Sequence, residues 1–163
     1  MIAQSVQSFL HQHGVQYDVF KHPARSGSYS KAIASHVPPS QMIKSVLLVD
    51  LQNQFLLVMI PADRMLSLYH VNKHSHRQFR LADESEISRI FFDCTPGAIP
   101  AFGHAYQIET LIDEQLCHKP QLYLEAGDQQ QVIQLSQQQF HTLTRNCPRG
   151  MFSVFPDICP QFV

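Results

Sequence analysis

Two hydrophobic periods alternate along this chain, and each change of period marks an element. Ile2, Val6, Phe9 and Leu10 recur at helical spacing and predict a helix over 2–13, closed by Gly14. Val15, Tyr17 and Val19 alternate and predict a strand over 15–22, which Pro23 ends. Ser26-Gly27-Ser28 reads as a loop and helix start. A short helix over 29–37 follows, with Ala32, Ile33 and His36 on one face, and Pro38-Pro39 stops it. Residues 43–50 and 54–60 are near-continuous apolar runs around a polar turn, which predicts a hairpin covered on both faces. Residues 64–69 read as a helical turn. A helix opens after Asp83, with Asp83 as N-cap, Glu86 completing a capping box, and Ile87, Ile90 and Phe91 inward. Strands are expected over 106–113, 121–125 and 131–135, the last two joined across Gly127-Asp128, and Ser136 caps a helix to Leu143. Strands and helices mix without strict alternation, so the expected class is a single α+β domain around a mixed, curled sheet.

Two places break the pattern. Thr95-Pro96-Gly97-Ala98-Ile99-Pro100-Ala101-Phe102-Gly103 holds two glycines, two prolines and no charge. It can be neither helix interior nor central strand. It reads either as a structural turn or as a rigid loop offering the N–H groups of Gly97, Ala98, Ile99 and Gly103 to a ligand. Lys44 is the second break. Side chains alternate along a strand, so Lys44 shares the face of Val46 and Leu48. Such an amine either snorkels to water or meets an anion or a carbonyl oxygen. Lysine and loop together suggest a charge beside backbone donors, a geometry suited to a carbonyl or carboxylate. The sequence has no G-x-S-x-G and no P-loop.

Composition narrows the options. At 163 residues the chain is one domain with room for a core. No apolar run approaches the ~18 residues of a membrane-spanning helix, and Met1–Ser5 do not open a signal peptide, so the expected location is cytoplasmic. The four cysteines, at 94, 117, 147 and 159, show no CxxC spacing and are expected reduced. Net charge is −1 but uneven: residues 1–80 carry eight Lys/Arg and three Asp/Glu (8 − 3 = +5), and residues 81–163 carry four and ten (4 − 10 = −6). A basic strip from Arg64 to Arg80 suits either solvent or a focused polyanion contact.

Four stretches resemble the YbaK-like domain, which also occurs as the editing insertion of bacterial prolyl-tRNA synthetases. They are Tyr17–Pro23, Ile43–Val49, Gly97–Gly103, and Ile112-Asp113 followed by Tyr123–Gly127, in the family's order across roughly residues 4–145. The resemblance implies a barrel-like sheet flanked by helices over 1–145, with 146–163 a Pro/Phe-containing tail that folds back or meets a partner. It implies hydrolysis, in trans, of the ester of mischarged aminoacyl-tRNA, without metal or cofactor. Lys44 would position the substrate at its carbonyl or a nearby phosphate. The Gly97, Ala98, Ile99, Pro100 and Gly103 loop would hold the aminoacyl ester and terminal adenosine. The adenosine hydroxyl or the substrate's own side chain would help drive cleavage. The expected partners are the acceptor end of mischarged tRNA and an aminoacyl-tRNA synthetase, with no membrane and no DNA.

The resemblance also brings Ser45, His22, Asp113 and Gly127 to the border of the site; His22, Asp113 and Gly127 each have a structural alternative. The branch that clears cysteinyl-prolyl-tRNA is expected to carry polar groups near Phe20 and Val132 and a serine near Glu125. The alanine-clearing branch is expected to carry a histidine where Leu122 and Tyr123 stand. Neither pattern is met, so the amino acid cleared stays open. A non-catalytic tRNA- or oligonucleotide-binding module of the same fold is the alternative reading. His70, His74 and His76 read as exposed histidines rather than metal ligands.

Overall fold

The computed structural model describes residues 1–25 and 27–156; Ser26, Cys159, Phe162 and the rest of 157–163 lie outside the described residues. Helix α1 (Gln4–Gln12) buries Val6, Phe9 and Leu10, as its apolar stripe requires. Strand β1 (Asp18–Lys21) is exposed along its length. Helix α2 (Ser28–Ala34) departs from its pattern: it buries Lys31 and Ala32, while Ile33 is 55% exposed and His36 faces solvent. A carboxylate beneath the helix turns the lysine inward, so the expected Ala32–Ile33–His36 face is not the buried one.

Strands β2 (Ile43–Asp50) and β3 (Phe55–Pro61) form the expected antiparallel hairpin, with Lys44 opposite Ile60 and Ser45 opposite Met59. Leu56 to Ile60 expose essentially nothing, and each such side chain contributes roughly 1.5–3 kcal/mol through burial. The turn expected over 64–69 is instead β4 (Met65–Leu66), followed by α3 (Leu68–Ser75), which Ser67 caps. After β5 (Phe79–Leu81), α4 (Glu84–Ile90) opens with both halves of the Asp83/Glu86 capping box. Strand β6 (Glu109–Asp113) begins later than its apolar run suggests, because residues 103–106 form a 3-10 turn flanked by Phe102 and Gln107 at positive φ. Strands β7 (Gln121–Glu125) and β8 (Gln131–Ser136) pair as expected, and Ser136 caps α5 (Gln137–Leu143). Strands β9 (Arg149–Gly150) and β10 (Ser153–Val154) return to the body.

The result is a single α+β domain with, among the described residues, five α-helices around mixed sheets. One sheet has the order β5-β2-β3-β6-β9, with β6 parallel to β3 and β9 parallel to β6; a second is β1-β8-β7; β10 pairs with β4. An isolated parallel bridge, Met42 to Tyr123, joins the two larger sheets. The expected barrel-like closure is not observed among the described residues. The sheets meet at that bridge and then separate, leaving a seam between β2 and β7.

Candidate functional site

The seam is where the site residues gather. Lys44 lies two positions beyond Met42 and Glu125 two beyond Tyr123, so alternation gives Lys44 the face of Met42 and Glu125 the face of Tyr123. Met42 and Tyr123 pack with Ala32 of α2 in one apolar cluster. Lys44 and Glu125 therefore emerge on the side that α2 covers. Lys44 is half-buried and, among the described residues, forms neither an ion pair nor a side-chain hydrogen bond. Ser45 points to the opposite face and does not join it.

The 95–103 loop approaches the seam from the other face. Ile99 packs with Leu47, and Ala101 and Phe102 pack with Ile43, on the side of β2 away from Lys44. Its start is pinned by Thr95 N–H donating to Gly127 O (2.8 Å) and by Gln129 Nε2 donating to Pro96 O (3.1 Å). Gly97 holds φ +84°, a backbone conformation that side chains rarely adopt. Ala98 N–H closes a turn onto Thr95 O (3.0 Å). At the far end, Gly103 lies so close to β6 that a Cβ would come within 2.3 Å of Thr110 Oγ1. Of the donors expected to face a ligand, Ala98 N–H is thus committed within the protein. Among the described residues no backbone carbonyl takes the exposed Gly97 N–H. The cavity that the loop lines, about 190 Å³, is shared with α4 and residues 91–98 and not with Lys44.

Glu125 links strand β7 to helix α2. Its Oε2 lies 2.8 Å from Lys31 Nζ, both side chains almost wholly buried, and Ser28 Oγ donates to Oε1 at 3.2 Å. Burial pushes the Glu125 carboxyl up, against the opposing pull of Lys31, Ser28 and the Ile99 N–H. Glu125 pairs across the sheet with Val132, and Val132 with Phe20. The three positions at which branch-specific side chains were expected therefore form one row beside Lys31. Lys31 was not among the residues expected here. Its signal in the sequence was indirect: a carboxylate inside the apolar run Leu122–Ala126 requires a cation somewhere, and the stretch between Asp18 and Asp50 holds basic residues without an acid.

The remaining candidates divide. His22 is buried beside the β7–β8 connection; its backbone N–H donates to Gln130 O, its Nδ1 lies 2.7 Å from Pro23 O, and its Nε2 is buried with no partner among the described residues. Gly127 carries φ +99° under the loop, where a Cβ would meet Ala3 at 2.6 Å. Asp113 serves the C-terminal return: its Oδ2 accepts Phe152 N–H (3.0 Å) and Ser153 Oγ–H (2.7 Å), and its Oδ1 accepts Gln115 N–H (2.9 Å). The basic strip is largely spent. Arg77 pairs with Asp50 and Glu109 at 2.8 Å each, Arg80 pairs with Glu86 at 2.9 Å, and Arg64 lies over Phe155. His70 meets Ser67 Oγ, His74 packs edge-on against Phe152, and His76 ends α3 at positive φ. No group of three His, Cys, Asp or Glu suited to a metal occurs among the described residues. Nor is any helix among them long and apolar enough to cross a membrane.

Known proteins match this chain in family and in fold. The aminoacyl-tRNA editing domain family matches residues 24–143. The hypothetical protein APE2540 superposes with a TM-score of 0.81 at 18% identity, over 93% of this chain and 100% of that one. A candidate trans-editing enzyme for prolyl tRNA synthetase superposes at 0.80 and 20% identity, over 93% and 96%. A candidate signal transduction protein from Marinobacter aquaeolei VT8 gives 0.71 and 24% identity, over 92% of this chain but 30% of that longer one. No curated protein matches the sequence at a significant level. The family match spans both the lysine-bearing strand and the glycine-proline loop, and the chain belongs to the aminoacyl-tRNA editing domain family, the YbaK-like family that its sequence resembles.

Proposed function

We propose that this protein hydrolyses the ester bond of mischarged aminoacyl-tRNA in trans. The observation that carries the reading is an uncommitted Lys44 amine at the seam, on a strand whose other face carries the glycine-proline loop. In this reading the Lys44 ammonium attracts the ester carbonyl oxygen, where negative charge develops as water attacks the carbonyl carbon, and the glycine-proline loop, on the other face of β2, holds the terminal adenosine. The carbon–oxygen bond to the ribose then breaks. The proton lost by water passes to the ribose oxygen, giving a free amino acid and a tRNA with both terminal hydroxyls restored. No ion pair or side-chain hydrogen bond ties Lys44 to a protein base among the described residues, and in this reading the neighbouring ribose hydroxyl or the substrate's own side chain guides the water. His22 and Gly127 border the acceptor end, and the partner is the tRNA acceptor end, with a synthetase as the source of mischarged product.

A second reading, an oligonucleotide-binding module without turnover, draws on the commitment of Ala98 N–H within the protein and on the loop's place on the face of β2 away from Lys44, which leave fewer donors for an oxyanion beside the amine. A deacylation screen over a panel of mischarged tRNAs, wild type beside Lys44→Ala, separates the two. The hydrolytic reading expects ester cleavage of at least one aminoacyl-tRNA, lost in the variant. Acceptor-stem binding with no cleavage of any of them supports the module.

A further inference from the structure

We propose that the cavity between helix α1 and the 3-10 turn at 103–106 binds the nucleobase that precedes the terminal adenosine of tRNA, a cytosine, with Phe92 as its stacking surface and Asp93 as the acceptor for its exocyclic amine. The cavity holds about 450 Å³, and small-ligand sites run from about 300 to 1,000 Å³. Phe92 is 75% exposed, and its ring lines both this cavity and the smaller one that the glycine-proline loop shares with α4. The two cavities therefore adjoin at an open aromatic face, the kind of surface on which single-stranded bases stack. The choice of partner rests on the acceptor-end reading above, in which the loop holds the terminal adenosine; it does not rest on ester cleavage.

The lining selects the ligand. Gln4, Ser8 and Gln12 stand at i, i+4 and i+8, one stripe of α1, and this helix carries no Asp, Glu, Lys or Arg. A helix face turned to solvent normally carries charge. A stripe of amides and a hydroxyl, joined by the amide of Gln107, instead offers donors and acceptors together, as the edge of a base requires. No lysine or arginine lines the cavity, so it is built for a base rather than for a phosphate. Its one carboxylate is Asp93, whose Oδ2 accepts Ser5 N–H (2.8 Å) and whose Oδ1 accepts the Tyr106 hydroxyl (2.8 Å). Burial raises the Asp93 carboxyl, but these two bonds outweigh it and hold the group below its ordinary range, so it is charged at neutral pH. A carboxylate has about four lone-pair directions, which leaves Asp93 room for a donor from a ligand. Cytosine brings one, its N4 amine; uracil places an oxygen at the same position and is repelled. A guanidinium also suits an aromatic face beside a carboxylate, but the shared Phe92 ring joins this cavity to the loop and favours the base.

Two RNA hairpins that mimic the acceptor stem test it, with binding read by fluorescence anisotropy. One ends in cytidine, cytidine, adenosine; the other carries uridine before the terminal adenosine. The wild type is expected to bind the cytidine end about tenfold more tightly. Phe92→Ala is expected to weaken that binding about tenfold, with an unchanged thermal midpoint because the ring is exposed. Asp93→Asn is expected to erase the preference for cytidine. Because Asp93 also serves Ser5 and Tyr106, NMR of the wild type gives a second readout: the side-chain amides of Gln4, Gln12 and Gln107 are expected to shift with the cytidine end and far less with the uridine end. Equal affinity for the two ends, or unchanged affinity in Phe92→Ala, overturns the proposal. So does a wild type that binds neither hairpin, whether or not arginine amide enters the cavity. A preserved cytidine preference without ester cleavage of any aminoacyl-tRNA would end the hydrolytic reading and support this one.

Discussion

Lys31 and Lys44 flank one seam and live in opposite environments. Lys31 is fully buried, and its amine is held by Glu125. Lys44 is half-exposed and uncommitted. The difference teaches how the fold divides its charges. A buried amine with a buried partner has a fixed position and little chemistry to offer, while an amine at a strand edge with no partner can meet a ligand that arrives later. The same division explains the lopsided sequence. The basic first half and acidic second half neutralise each other in space, through Lys31–Glu125, Arg77–Glu109 and Arg80–Glu86.

Substitution at each lysine is the strongest way to break this contrast. Lys31→Met orphans a buried carboxylate and is expected to destabilise the protein by about 3–5 kcal/mol. Lys44→Ala is expected to change stability by only about 0.5 kcal/mol. Urea melts of the two variants check this; equal losses would erase the distinction. Asp113→Ala comes next. It removes the acceptor for Phe152 N–H and Ser153 Oγ–H, at a cost of about 1.5–3 kcal/mol. Faster exchange of the Phe152 amide with retained ester cleavage would assign Asp113 to the C-terminal return rather than to substrate.

The smallest effect belongs to an exposed pair, which sharpens the contrast with the buried one. The side-chain hydrogen bonds from Arg80 hold the Glu86 carboxyl at about 2, below its ordinary 4.5. Because the folded value is depressed, the stabilisation is fully present above 4.5 and is lost as pH falls from 4.5 toward 2. Carbon-13 NMR titration of Glu86 is expected to show a midpoint near 2 that returns toward 4.5 in Arg80→Ala.

What the sequence made legible was local. The hairpin of β2 and β3, the Asp83/Glu86 and Ser136 caps and the β7–β8 pair depend on neighbours in the chain, and the structure has them. Helix α3 escaped because Val71 is its one buried residue, too little for an apolar stripe; the Ser67 cap that receives His70 N–H was its readable mark. The two-residue strands β4, β9 and β10 exist only through partners distant in the chain. The site was half legible. Lys44 and the loop stood out because each violates the pattern around it. Lys31 looked like any lysine on a short helix, since its burial depends on Glu125, a residue from the other half of the chain.

The most direct measurement is NMR of the protein with a non-hydrolysable aminoacyl-adenosine amide, following the Lys44 and Lys31 side-chain signals and the Gly97 amide. The account predicts that Lys44 and Gly97 shift together on binding while Lys31 stays still. Saturable binding that leaves Lys44 and Gly97 unmoved would contradict it.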